Sequence, residues 1–288
     1  MKHFQYVRAG SLDEAYAFLA DHPCSTRVMA GGTDLLVEIR MNERSVHDMD
    51  YILDISGLKS LTGIREKSGI VTIGALTTHE EVHNSPLVQS KAPLLAEACG
   101  LVGGPQTRAR GTVGGNICNL SPCADSVTAL TALDAVLSLS SLKGNRQVPI
   151  HTFLSAKEKD RMEPGELLTE ISFGVLNEHE TCAYIKLGRR KALAIARMNT
   201  GAIIELKDGI ITNARVSVGA AFPHQRRLNG VEAQLIGKKP DEKGIQDASR
   251  EAAKEMLEVT GVRWSTEYKE PVIQTLVKRC IEKALKVE

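Results

Sequence analysis

The chain is poor in aromatic residues, which fill 4% of its 288 positions, and it has a single tryptophan. Such a sequence offers no stacking platform for bases, and an electron carrier bound to it is not expected to be wrapped in Trp and Tyr. It also lacks a charge excess: 36 Lys and Arg stand against 35 Asp and Glu, a net of +1. That excludes a basic footprint for nucleic acid or for a membrane surface. No run of 18 apolar residues occurs, which excludes a membrane-spanning helix. The N-terminal MKHFQYVRAGSLDEA has none of the apolar centre of a signal peptide, so a cytoplasmic protein is the expectation. Six cysteines, Cys24, Cys99, Cys118, Cys123, Cys182 and Cys280, are scattered rather than framed. In a reducing compartment they are expected to be mostly free thiols, buried as small hydrophobes. Cys118 and Cys123 form C-x4-C, a spacing of no common zinc or iron–sulfur run, and no metal site is expected.

The remainder is ordinary globular material, 42% hydrophobic and 25% charged, long enough for one large or two modest domains. Ser11-Leu12-Asp13-Glu14 reads as a capping box ahead of apolar residues at helical spacing. Residues 27–30 predict a short buried strand, Leu35, Leu36 and Ile39 a helix, and 51-YILDI-55 a further strand. The first fifty-odd residues therefore read β-α-β-α-β. A strand, turn, strand and helix follow over 61–83, with more strands expected at 134–141 and 167–173. Beyond them 183–188, 195–206 and 211–221 predict strands, with a turn at Asp208-Gly209. Two helices, about 241–259 and 270–286, close the chain. The fold class is α+β, with a boundary near 175–180.

The chemistry concentrates at glycines. In 27-RVMAGGTDLL-36 a glycine pair sits between strand and helix, where amides without a Cβ in the way can approach a phosphate. Thr33 adds a hydroxyl. Asp34 is unwelcome beside a diphosphate and is assigned to the N-cap or a backbone contact. The stretch is not G-x-G-x-x-G, and no P-loop exists, so neither familiar nucleotide motif applies. A second element, 111-GTVGGNICN-119, repeats the pattern with Thr112 and Asn116 as short polar side chains, and Asp125 follows. Two such loops are suited to clasping a dinucleotide's diphosphate from both sides, with Asp125 accepting from a ribose diol or an amine.

AGGTDLL at 30–36 and GTVGGNICN at 111–119, followed by Asp125, resemble the flavoprotein component of the molybdenum hydroxylases, the group of xanthine dehydrogenase and aerobic carbon monoxide dehydrogenase. The resemblance runs through 53-LDISGLKSL-61, 73-IGALTTHEEV-82, 184-YIKLGRRKALAIARMN-199 and 263-RWSTEYKEPVIQTLVKRCIEKAL-285. It implies an FAD-binding domain of the vanillyl-alcohol oxidase (PCMH) type over 1–176, in subdomains 1–56 and 57–176. A smaller C-terminal α+β domain with antiparallel strands and terminal helices is then implied over 177–288. By the same resemblance Val28, Met29, Ala30, Gly31, Gly32, Thr33, Asp34 and Leu35 surround the FAD diphosphate. Thr112, Val113, Gly114, Gly115 and Asn116 close from the other side. Cys118 falls close to the isoalloxazine, Asp125 at the ribose or adenine, one of Leu167 and Leu168 near the flavin, and Lys186 at the flavin's edge.

No nucleophile triad and no general base stands out. The i,i+4 pair His79 and His83 is assigned to a solvated helix face rather than a metal site. Arg189-Arg190-Lys191 is a solvated turn or a docking patch for an anionic acceptor or a partner subunit. The resemblance places the molybdenum cofactor on a large partner subunit and two [2Fe–2S] clusters on a small one. This chain would pass electrons through FAD to NAD or another soluble acceptor. The competing readings are a self-contained FAD-dependent oxidase of the vanillyl-alcohol oxidase type and a non-catalytic nucleotide-binding scaffold.

Overall fold

The structure, a computed structural model, describes residues 3–286. Its N-terminal unit is a parallel sheet of β1 (Gln5–Arg8), β2 (Thr26–Met29) and β3 (Tyr51–Asp54) in the order β1-β3-β2. Adjacent residues of β3 point to opposite faces. Leu53 therefore packs with Ala15, Tyr16 and Leu19 of the helix Leu12–Asp21, while Ile52 packs with Leu35 and Ile39 of the helix Leu35–Met41. Ser11 caps the first helix, accepting from the Glu14 amide at 3.2 Å. The Glu14 carboxylate reaches back to the Gly10 amide at 2.8 Å rather than to that of Ser11, so the box closes one residue early. The expectation of a buried strand at 27–30 is corrected: β2 is an edge strand, exposed or half-buried along its length, because β3 alone occupies the sheet centre.

The second sheet is antiparallel. It contains β4 (Ile64–Lys67), β5 (Ile70–Gly74), β6 (Val136–Ser141), β7 (Gly144–Pro149) and β8 (Leu167–Gly174) in the order β4-β5-β8-β6-β7. Ile171 of β8 lies between Ile73 and Leu137 across the ladders, and all three are fully buried. The third sheet runs β12-β11-β10-β9, from β9 (Glu180–Gly188), β10 (Ala196–Lys207), β11 (Ile210–Gly219) and β12 (Arg226–Arg227). Asp208 and Gly209, at φ 52° and 74°, form the two-residue turn between β10 and β11 that positive φ at both positions favours.

The third sheet uses both faces. Ala183, Ala202 and Ile204 pack with the helices Glu242–Thr260 and Thr266–Leu285. Their neighbours Tyr184 and Ile203 point the other way, into the large core that holds Leu94 and Leu130 of the helices Pro93–Gly100 and Asp125–Ala132. The last helix begins at Thr266 rather than at 270, and it carries Pro271 in its second turn, on an exposed face. The cysteine expectation needs correction too. All six are free, but only Cys99 and Cys280 are buried, Cys123 and Cys182 are half-buried, and Cys24 and Cys118 are exposed. Among the described residues no helix is long and apolar enough to cross a membrane.

Candidate functional site

A cleft of about 790 Å³ opens where the parallel sheet meets the five-stranded sheet. Both glycine loops line it, and they touch. A Cβ built on Gly31 would lie 1.9 Å from the Arg110 carbonyl oxygen, and one on Gly114 would lie 2.6 Å from the Ala75 Cβ. Gly32 is a glycine for a different reason, its φ of +73°. All but three of the residues named from the sequence line this cleft: Val28 to Leu35, Thr112, Gly114, Gly115, Asn116, Cys118, Leu167 and Leu168 do so, whereas Val113, Asp125 and Lys186 do not.

The two loops contribute differently. Among the described residues, the amides of Ala30 to Leu35 have no acceptor within the chain. Buried or half-buried amides without partners are rare unless something else receives them. The amides of the second loop are already committed. Val113 donates to the Thr77 carbonyl at 3.0 Å, Gly114 to the Ala75 carbonyl at 2.9 Å and Asn116 to the Thr112 carbonyl at 3.0 Å. Gly115 donates to the Thr112 hydroxyl at 3.1 Å. This loop therefore supplies a close-packed floor and two side-chain donors, the Thr112 hydroxyl and the Asn116 amide group. The Asn116 Oδ1 accepts from the Ser126 hydroxyl at 2.8 Å, which leaves its amide protons unused within the chain.

The charge of an anion here would be met by amides rather than by cations. The lining includes Asp34, Glu38, Glu163 and Glu166 against a single Arg27. Arg27 is paired with Glu38 at 3.2 Å, and Glu166 with Arg146 at 2.6 Å. Asp34 occupies the N-cap position but makes no capping hydrogen bond, contrary to the role assigned from sequence. Its own backbone is already helical (φ −99°, ψ −54°), whereas a capping side chain needs an extended residue. Burial in the cleft wall holds its carboxyl above the ordinary carboxylate value.

Asp125 and Lys186 meet away from the cleft lining. Asp125 starts the helix Asp125–Ala132 and is buried. Its Oδ1 accepts from the Tyr184 hydroxyl at 2.7 Å and from Asn199 Nδ2 at 3.0 Å, and its Oδ2 from Lys186 Nζ at 2.6 Å. Lys186 also donates to the Leu101 carbonyl at 2.8 Å. With Oδ1 taken twice and Oδ2 once by β9 and β10, Asp125 joins the N-terminal domain to the third sheet, away from the residues that line the cleft. Val113 is fully buried in the large core.

The reading of His79 and His83 as a solvated face is also overturned. His79-Glu80-Glu81-Val82-His83 has the residue order of an H-E-x-x-H zinc motif, yet the two rings have different surroundings. His79 is buried and lines the cleft, while the His83 Nδ1 is engaged with the Ala96 carbonyl at 2.9 Å. Sequence reasoning missed further lining residues, notably Thr26, Ile55, Val102, Thr107 and the turn Glu163-Pro164-Gly165. The Pro-Gly pair was the one local signal for that turn. Thr26 and His79 each leave a buried polar atom, Oγ1 and Nδ1, without a partner.

A second cleft of about 640 Å³ adjoins the first across residues 101–108. Arg108, Lys186, Arg189, Arg190 and Lys191 line it, and no carboxylate does.

Unpaired amides, orphaned polar atoms and a glycine-packed floor in one cleft suit a nucleotide-binding protein that holds a diphosphate. Comparison with known proteins makes this specific. The family model described as FAD binding domain in molybdopterin dehydrogenase matches residues 2–174, and that of the CO dehydrogenase flavoprotein C-terminal domain matches 183–284. The chain belongs to the FAD-binding medium subunits of the molybdenum hydroxylases, and it is an oxidoreductase subunit. It is 33% identical to the glyceraldehyde dehydrogenase medium chain of Sulfolobus acidocaldarius, over 97% of both chains. It is 32% identical to a putative xanthine dehydrogenase FAD-binding subunit of Escherichia coli, over 97% of this chain and 95% of that one. A solved structure of carbon monoxide dehydrogenase from Hydrogenophaga pseudoflava superimposes with a TM-score of 0.91 at 29% identity, covering 99% of this chain and 98% of that one.

Proposed function

We propose that this chain is the electron-transfer subunit of a heteromeric, xanthine dehydrogenase-like molybdenum hydroxylase, partnered by a large molybdopterin-binding subunit and a small [2Fe–2S] subunit. The observation that carries the reading is the run of unpaired amides from Ala30 to Leu35 in residues that line one cleft with the glycine floor of 111–116. Those amides, with Thr33 and the Asn116 amide group, would hold the FAD diphosphate. Cys118, Leu167 and Leu168 would border the rest of the cofactor. When bound, FAD would supply the redox chemistry, since a flavin can accept electrons singly, as from iron–sulfur clusters, and release them as a pair to an acceptor.

The protein's part is to bind and orient the cofactor and to receive the acceptor. The second cleft suits NAD or another soluble anionic acceptor: Arg108 and Lys186 are paired with Glu80 and Asp125, which leaves Arg189, Arg190 and Lys191 as the cations its lining offers. Lys186, fixed by Asp125 and the Leu101 carbonyl, reaches that cleft from the domain junction. We place the domain junction itself at 176–177, between the end of β8 and the start of β9. The relatives' names span glyceraldehyde, xanthine and carbon monoxide, and the reacting substrate is met on the molybdenum subunit rather than here.

The test is direct. The purified chain should be yellow and carry one FAD per chain, and co-expression with its neighbouring reading frames should yield a three-subunit complex. A colourless chain that ignores added FAD overturns the reading. Turnover of a small organic substrate by the isolated chain would favour the self-contained oxidase instead.

A further inference from the structure

His79 is a buried titratable group that lines the cleft and for which the proposed function gives no role. It begins the helix His79–Asn84, where Thr78 and Glu81 form a reciprocal capping box. That box holds the backbone of His79 in place, and the ring lies 2% exposed in the wall of the cleft. Neither ring nitrogen makes a hydrogen bond among the described residues, and Nδ1 is shielded from solvent as well. His83, one turn further on, shows what a purely structural histidine does here, with its Nδ1 engaged by the Ala96 carbonyl. Burial, with the Arg108 charge nearby, lowers the His79 pKa to about 4, so the ring is neutral and carries one N–H.

The ring's neighbours locate its partner. The position a Gly111 Cβ would take is 3.4 Å from His79 Cδ2 and 3.4 Å from Thr33 Oγ1. His79 thus meets the first glycine loop at the point where the second loop crosses it. A neutral imidazole donor suits a diphosphate there, because among the described residues the one cation in the lining, Arg27, is paired with Glu38.

We propose that His79 is a cofactor-contacting residue whose Nε2, rather than the shielded Nδ1, donates a hydrogen bond to the diphosphate of FAD. This rests on the reading that the cleft holds FAD, and the two fail separately. A wild-type chain that binds no FAD sinks the function. A wild-type chain that binds FAD without any use of His79 sinks only this assignment.

The full chain, stripped of flavin, would be titrated with FAD and with riboflavin while flavin fluorescence is followed. His79→Leu should raise the FAD dissociation constant about tenfold, and His79→Gln, which keeps a donor, should recover most of the loss. Riboflavin, having no phosphate, should bind both variants as it binds the wild type. An unchanged FAD constant in His79→Leu overturns the proposal, and so does an equal penalty for riboflavin. Should His79→Leu fail to fold, the wild-type chain labelled with 15N-histidine still decides. FAD should shift the His79 ring-nitrogen resonances, assigned by their loss in His79→Gln, and unmoved resonances refute the contact.

Discussion

Gly31→Ala tests the junction of the two loops. The Cβ it introduces would fall 1.9 Å from the Arg110 oxygen and 2.7 Å from its carbon, where real contacts do not come under 3.0 Å. Both neighbours are backbone, so no rotamer change relieves the clash, and the loops must part by about 1 Å at that point. Overpacking of this kind costs about 1–3 kcal/mol. If FAD must draw the parted loops together again, that cost appears in the dissociation constant as a rise of about 5- to 150-fold. Gly174→Ala is the control, since its Cβ would meet nothing within 4 Å and its φ is not in the left-handed region. The assay is fluorescence titration of the flavin-free chains with FAD, alongside thermal unfolding to compare the scaffolds. A Gly31→Ala chain that binds FAD within twofold of the wild type would show that the loop contact does not set the geometry of the amides.

Three further outcomes follow from the same geometry. Gly115→Val should lower FAD occupancy at least tenfold in purified protein, because a side chain there meets only the Thr112 hydroxyl at 2.8 Å and then extends into the cleft toward Ala30; full occupancy counts against the floor. Asp34→Asn should stabilise the flavin-free chain near neutral pH. The folded carboxyl has a raised pKa, so its ionised form opposes folding at high pH, and the gain should vanish as pH falls toward the unfolded value of 3.8. Melting curves from pH 7 to 4 read this, and a variant less stable at pH 7 contradicts it; FAD affinity should hold or rise as the charge near the diphosphate disappears. Asp125→Ala should cost about 3–5 kcal/mol in denaturant unfolding, since it strands Lys186 beside the orphaned Tyr184 and Asn199 groups. A loss confined to FAD binding, with stability intact, would instead return Asp125 to the cofactor.

Much of the fold was legible locally. Short runs rich in apolar and β-branched residues, YILDI, LLTEISF and ITNARVSVGAA, marked strands, and Asp208-Gly209 marked its hairpin, because strand propensity and positive φ are properties of a few neighbouring residues. The β-α-β-α-β opening was legible for the same reason. Which strand takes the sheet centre was not, and residues 27–30 were misread as buried. Strand order depends on pairing partners far along the chain, and β3 is reached only after both helices.

The candidate site divides in the same way. The sequence by itself determined the glycine loops, their order and the residue types around them, since AGGTDLL and GTVGGN are contiguous and their chemistry is intrinsic. Only the tertiary structure decided which polar groups remain unspent. Hydrogen-bond capacity is finite, and long-range partners consume it. Tyr184, Asn199 and Lys186 engage both oxygens of Asp125, and Thr77 and Ala75 take amides of the second loop. The amides from Ala30 to Leu35 and the ring of His79 are left unspent, in residues that line the same cleft.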